Sequence, residues 1–124
     1  MIVVHASAVL MLLTNQPGAN AVAAKLIAAP EAIMSPVSTM DVLLTLAGRY
    51  ADPSPVLSAF LRQSHIGQRP VDAAQTSWAR QGFLSFGAGR WSLADCFTYG
   101  LAKVLAAPVL TASDVFTGSD LALA

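Results

Sequence analysis

The chain has 124 residues, a formal net charge of zero, 55% hydrophobic residues and only 11% charged ones. That length suits one domain with one core, and the balanced charge argues against strong non-specific attraction to nucleic acid. The lone Cys96 excludes a disulfide framework and a cysteine-based zinc site and makes a cytoplasmic home the default; the apolar start lacks a basic flank and breaks at Asn15-Gln16-Pro17-Gly18, so neither a signal peptide nor a spanning helix is predicted.

In chain order, Ile2-Val3-Val4 is an unbroken β-branched run and predicts a short strand buried on both faces, as in parallel sheets. His5-Ala6-Ser7-Ala8 follows its end, and Val9 to Leu13 predict a first helical turn or two. Ala19 to Ala29 predict an alanine-rich helix with Val22 and Leu26 on one face, Ile27 beside them and Pro30 as the stop. Ala32-Ile33-Met34 is a second strand candidate. Ser35 to Ser38 turn the chain into a helix whose predicted apolar stripe is Met40, Leu43, Leu44 and Ala47, with Leu46 at its margin. Asp52-Pro53-Ser54-Pro55 stops and restarts the chain, and Val56 to Gln63 predict the next helix. His65 to Val71 hold a loop and a short third strand. Asp72 is the predicted N-cap of a helix that carries Trp78, Phe83, Leu84 and Phe86, with Trp78, Phe83 and Phe86 expected in the core. Gly87-Ala88-Gly89-Arg90 reads as a flexible loop, with Gly87 and Gly89 supplying backbone freedom. Pro108-Val109-Leu110-Thr111 is the last clear strand, with Val115-Phe116 beyond it.

The stretch from Ser92 to Lys103 is the most informative. Ser92 suits an N-cap and Asp95 stands three residues on, where a carboxylate faces the positive end of the helix dipole. Phe97, Leu101, Val104 and Leu105 supply an apolar face, with Ala94, Ala102 and Ala106 as small packing residues. An acid at the mouth of such a helix is either a cap or a ligand. Cys96 beside it reads as a small packing residue, not a nucleophile.

Strands separated by helices of this length imply an α/β fold with a mostly parallel sheet and helices on both faces. Ligands of such folds bind outside the carboxyl ends of the strands. That rule selects His5 after the first strand and Asp114 after the last, and Asp95 can point into the same crevice. Asp41 lies one turn inside its own helix. No glycine-rich phosphate fingerprint follows the first strand, which weakens a generic nucleotide-binding reading. The low charge content favours an apolar patch, and hence a partner or self-interface.

Four stretches resemble one family. Met1-Ile-Val-Val-x-Ala-Ser-Ala8 resembles the opening of PIN-domain ribonucleases of the VapC toxin type, and Leu93-Ala-Asp-Cys-Phe-Thr-Tyr-Gly-Leu-Ala102 is similar to their Gly-Asp-Cys-Phe-Ala-Tyr-Ala-Leu-Ala run. Phe86-Gly-Ala-Gly-Arg90 resembles their Gly-Lys-Gly loop, and Val109-Leu-Thr-x-x-Asp114 the end of their last core strand. The resemblance covers almost the whole chain and implies a single PIN domain over 1–124: a three-layer α/β/α sandwich around a short-stranded, mostly parallel sheet. It implies a cytoplasmic toxin of a type II toxin–antitoxin pair, an endoribonuclease in which three or four carboxylates hold Mg²⁺ or Mn²⁺ and a metal-activated water cuts RNA. The implied partners are a VapB-like antitoxin, an RNA substrate and a second copy of the chain, with no membrane.

Carried over by position, the family's acids fall on His5, Asp41, Asp95 and Asp114. Asp41 stands where Glu is usual, Val115 replaces an acid often seen beside the fourth, and Ala88 replaces a loop lysine. His5 replaces the family's first aspartate and takes a charge from the middle of the site. The resemblance then implies reduced or lost cleavage; the alternatives are an inactive PIN domain that works by binding antitoxin or RNA, and a nuclease re-tuned to Mn²⁺ with His5 as ligand. Read singly, His5 is a strand-end histidine with a backbone partner, Asp41 a first-turn helix acid and Asp114 a turn residue. Ser7 orients a ligand or caps a helix, Ser92 supports Asp95, and Arg90 contacts RNA phosphate or is a solvated surface arginine.

Overall fold

Ile2, Val3 and Val4 are all buried, and their side chains alternate between two cores. The computed structural model describes residues 1–124. Strand β1 (Ile2–Val4) leads into helices α1 (Ala6–Leu13) and α2 (Ala19–Ala28), then β2 (Ala32–Met34), α3 (Pro36–Leu46), α4 (Ser54–Gln63) and β3 (Ile66–Gln68). Helix α5 (Ala73–Gly82) runs into a π-helical turn (Phe83–Gly87), followed by α6 (Leu93–Leu105) and β4 (Val109–Leu110). The sheet order is β3-β2-β1-β4 and every pairing is parallel, so all strand ends of one polarity share one edge. Leu123 adds a parallel bridge to Val109.

Ile2 and Val4 face a core built with Val9, Val22, Leu26, Val42, Leu46, Leu57 and Leu61, from α1 to α4. Val3 faces the other layer, with Trp91, Tyr99, Leu101, Val109 and Phe116. This is the three-layer α/β/α arrangement of a PIN-like fold. Helix α5 packs chiefly against α6, and Gly100 is the reason the two helices come so close. A Cβ there would stand 2.3 Å from the Gln75 carbonyl oxygen.

Several packing expectations are corrected. Helix α1 starts at Ala6, earlier than Val9, because His5 caps it. The buried face of α3 is Ser38, Thr39, Val42 and Leu46, whereas Met40 and Leu44 are exposed. Polar residues can line that face because Ser38 meets Thr98 at 2.9 Å and Thr39 bonds the Pro36 carbonyl and the Gln68 amide oxygen. Helix α6 buries Ala94, Asp95, Thr98, Tyr99, Leu101 and Ala102, while Phe97, Val104 and Leu105 are half-buried and Ala106 is exposed. Ile27 is exposed on α2, and Trp78 is exposed on α5 with the Lys103 ammonium 4.9 Å above its ring. Phe83 and Phe86 are half-buried in the π-helical turn beyond α5. Gly89 does need a left-handed backbone, at φ +78°. Gly87 is needed for space instead, since a Cβ there would meet the Trp91 ring at 2.4 Å.

Candidate active site

The end of β1 delivers His5 into the edge where the strands finish. Its backbone N–H donates to the Leu110 carbonyl at 2.9 Å, which continues the β1–β4 pairing by one residue. Its ring then turns inward and caps α1, taking the Ser7 backbone N–H on Nδ1 at 3.2 Å. A backbone N–H can only donate, so Nδ1 carries no proton; the ring proton is on Nε2, where it is donated to Asp95 Oδ1 at 2.6 Å. Both residues are buried, and Phe116 closes the ring edge-on at 5.3 Å.

Asp95 is cap and site residue at once. Its Oδ2 accepts the Ser92 N–H at 2.9 Å while the Ser92 hydroxyl accepts the Asp95 N–H at 3.2 Å, the reciprocal capping box of α6. Burial opposes ionisation of this carboxyl, but the hydrogen bonds from His5 and Ser92 outweigh it and hold the group below its ordinary value. Burial, and then the Asp95 charge, push the Cys96 thiol up, which suits the packing role expected of it.

Ser7 extends the chain of bonds. Its hydroxyl lies 2.7 Å from His5 Nδ1 and 3.1 Å from the Thr111 hydroxyl, and its oxygen accepts the Ala112 N–H at 2.9 Å. Ser7, His5 and Asp95 thus stand in the order of a nucleophile, base and acid relay. The serine oxygen is already engaged by Ala112 and Thr111, so it is held as a link and not poised for attack.

The other expected residues do not join this group. Asp41 is half-buried in the second turn of α3, not the first, and its carboxylate takes no hydrogen bond. Asp114 is exposed after β4, and only its backbone carbonyl is used, by Thr117. Arg90 is exposed and donates to the Val115 carbonyl at 3.3 Å, beside the Trp91 indole, which donates there at 3.0 Å. His5 has side-chain partners on both ring nitrogens in addition to the backbone partner of the simple strand-end reading, the Ser7 N–H.

No three histidine, cysteine or acidic side chains come close enough to hold a metal ion together. The donor chemistry agrees: His5 has Nδ1 turned to Ser7 and a proton on Nε2, which leaves Asp95 as a single ligand. The residues in place therefore do not fit the Mg²⁺ or Mn²⁺ that the resemblance implies. A groove of about 670 Å³ lined by Leu12, Leu26, Ile27, Phe60 and His65 lies at the opposite edge of the sheet and contains none of these residues.

Thr111 and the Ser38–Thr98 pair were not among the expected site residues. Thr98 had a signal, standing three residues after Asp95 on the same helix face. Asp120, which accepts from Tyr99 at 2.9 Å and pairs with Lys103 at 2.8 Å, left no local pattern.

No family model matches the sequence. Individual relatives do: the chain is 30% identical over 125 residues to a ribonuclease VapC of Mycolicibacterium smegmatis, with 97% of each covered. It is also 30% identical over 125 residues to ribonuclease VapC30 of Mycobacterium tuberculosis, covering 97% of this chain and 95% of that one. The chain belongs to the VapC ribonuclease family. Two solved structures share this fold at low identity. Mycobacterium tuberculosis VapC20, described as a sarcin-ricin loop cleaving toxin, superposes with a TM-score of 0.79 at 16% identity, over 100% of this chain and 98% of that chain. A toxin–antitoxin complex from Klebsiella pneumoniae gives 0.76 at 13% identity, over 100% and 97%. No helix of this VapC-family chain is long and apolar enough to cross a membrane.

Proposed function

We propose that this chain is the toxin component of a toxin–antitoxin pair, an endoribonuclease by descent whose RNA cleavage is reduced or lost and whose work in this form is binding. The observation that carries the reading is the 2.6 Å bond between His5 and Asp95, which engages the acid at the mouth of α6 with an imidazole. The partners are a VapB-like antitoxin, RNA and a second copy of the chain, and the compartment is the cytoplasm. The names of the relatives support the ribonuclease scaffold, and the low charge content supports protein partners. Asp41, Asp95 and Asp114 stand at the positions of the family's remaining acids, and of the three only Asp95 is bonded to position 5.

The test is RNA cleavage by the purified, antitoxin-free protein in Mg²⁺ and in Mn²⁺, with a His5→Asp version beside it. Cleavage by the His5→Asp protein alone is expected, together with growth arrest on its expression that the present chain does not cause. Equal cleavage by both proteins overturns the reading.

A further inference from the structure

We infer that His5 acts as a built-in substitute for a divalent cation: through hydrogen bonds it ties together the ends of β1, β4 and α6, and it is the residue that keeps an ion out of this place. The inference rests on the family reading for what position 5 holds elsewhere, but on no activity of this chain.

The ties are explicit. The His5 ring reaches α6 through Asp95 Oδ1 at 2.6 Å, and Asp95 Oδ2 holds the first turn of that helix through the Ser92 N–H. On its other side the ring meets Ser7, whose hydroxyl touches Thr111 and accepts the Ala112 N–H, both just past β4. The first strand and the last helix and strand of the fold are thereby fastened at one point. Carboxylates brought to that point repel one another unless a cation lies between them. An imidazole removes one negative charge and offers a proton to the other acid, so the junction closes without an ion. Its geometry also denies an ion a donor, because Nε2 carries the proton and the Nδ1 lone pair faces Ser7. Phe116 packs edge-on to the ring, so the junction is walled by an aromatic on that side.

The measurement is Mn²⁺ uptake by the full chain, read from loss of the free-ion electron paramagnetic resonance signal and from the melting temperature in Mn²⁺ against chelator. The chain as it stands is expected to leave the Mn²⁺ signal intact and to melt at the same temperature in both conditions. His5→Asp is expected to take up Mn²⁺ and to melt several degrees higher with it, by mass action. Adding Asp95→Asn to His5→Asp should abolish that gain. If His5→Asp does not fold in chelator, His5→Glu, which also puts a second carboxylate beside Asp95, should show the same gain. Stoichiometric uptake by the present chain, or no uptake by a folded His5→Asp or His5→Glu protein, overturns the inference. Neither readout uses RNA: cleavage by the present chain without Mn²⁺ uptake would overturn the proposed function alone, and uptake without cleavage would overturn this inference alone.

Discussion

Ser7 and Thr111 meet hydroxyl to hydroxyl at 3.1 Å, and that contact joins the first turn of α1 to the end of β4. The same Ser7 oxygen accepts the Ala112 N–H and stands against the His5 ring. Ser7→Ala removes all three bonds while the His5 ring keeps the Ser7 backbone N–H. A loss of about 1–2 kcal/mol is expected, read as a lower urea midpoint with an unchanged slope. An unchanged midpoint would show that water replaces the hydroxyl at no cost.

The Asp95 carboxyl makes the fold sensitive to acid. Burial raises its proton affinity, the bonds from His5 and Ser92 lower it by more, and the net shift is downward. A depressed carboxyl binds fewer protons folded than unfolded. Its contribution is therefore full above the unfolded value of about 3.9, and it is lost as pH falls through the lower folded value. Urea unfolding followed from neutral pH into that range should show Asp95→Asn starting less stable than the parent and losing less on acidification. Parallel curves for the two proteins would refute the assignment.

Tyr99 is tuned in the opposite direction. Burial, and then its hydrogen bond to Asp120, push the phenol up to about 12. The neutral form is favoured in the folded state, so this contribution is present below the ordinary value and is lost as pH rises through about 12. Phenolate absorbance in a Tyr50→Phe background isolates Tyr99. Asp120→Asn should bring its titration to lower pH, because the Asp120 charge that adds to burial is removed. It should also release Lys103 from its 2.8 Å pairing.

Gly100 fixes the seam between α5 and α6. With a Cβ placed 2.3 Å from the Gln75 carbonyl oxygen, Gly100→Ala forces the two backbones apart. Alanine's better helix propensity works the other way, by about 1 kcal/mol. The clash is with backbone and cannot be relieved by a rotamer, so a net loss of about 1–3 kcal/mol is expected. Thermal unfolding of Gly100→Ala decides it, and an unchanged or raised midpoint would refute the close approach.

Much of the architecture was legible because local chemistry and global packing agree at particular residues. Ile2-Val3-Val4 could only be a strand buried on both faces, and Ser92 with Asp95 marked the start of α6 by spacing alone. The face of α3 was misread because apolar periodicity cannot anticipate that Ser38 and Thr39 find partners across sixty and twenty-nine residues of chain. The π-helical turn at Phe83–Gly87 had no signature beyond an aromatic cluster. At the site, the strand-end rule brought His5, Asp95 and Asp114 to one edge and the resemblance added Ser7, but neither could give the bond pattern. Whether an imidazole faces a carboxylate, a backbone carbonyl or solvent depends on a rotamer, and no spacing encodes it. Asp41 was assigned by the resemblance and Asp114 by the strand-end rule as well, and the fold leaves both outside the bonded group.

The two tryptophans stand in opposite surroundings. Trp91 is buried, with Phe116 edge-on to it at 5.3 Å, and Phe116 is in turn edge-on to His5 at 5.3 Å. Trp78 is exposed beneath the Lys103 ammonium. The molecule thus carries its own optical gauge of the strand-end junction. A rearrangement of the imidazole passes through one aromatic ring to a shielded indole, whose emission shifts, while a soluble quencher reaches only the other. Rearrangements at that edge can be followed in the unlabelled protein, in real time and without a substrate.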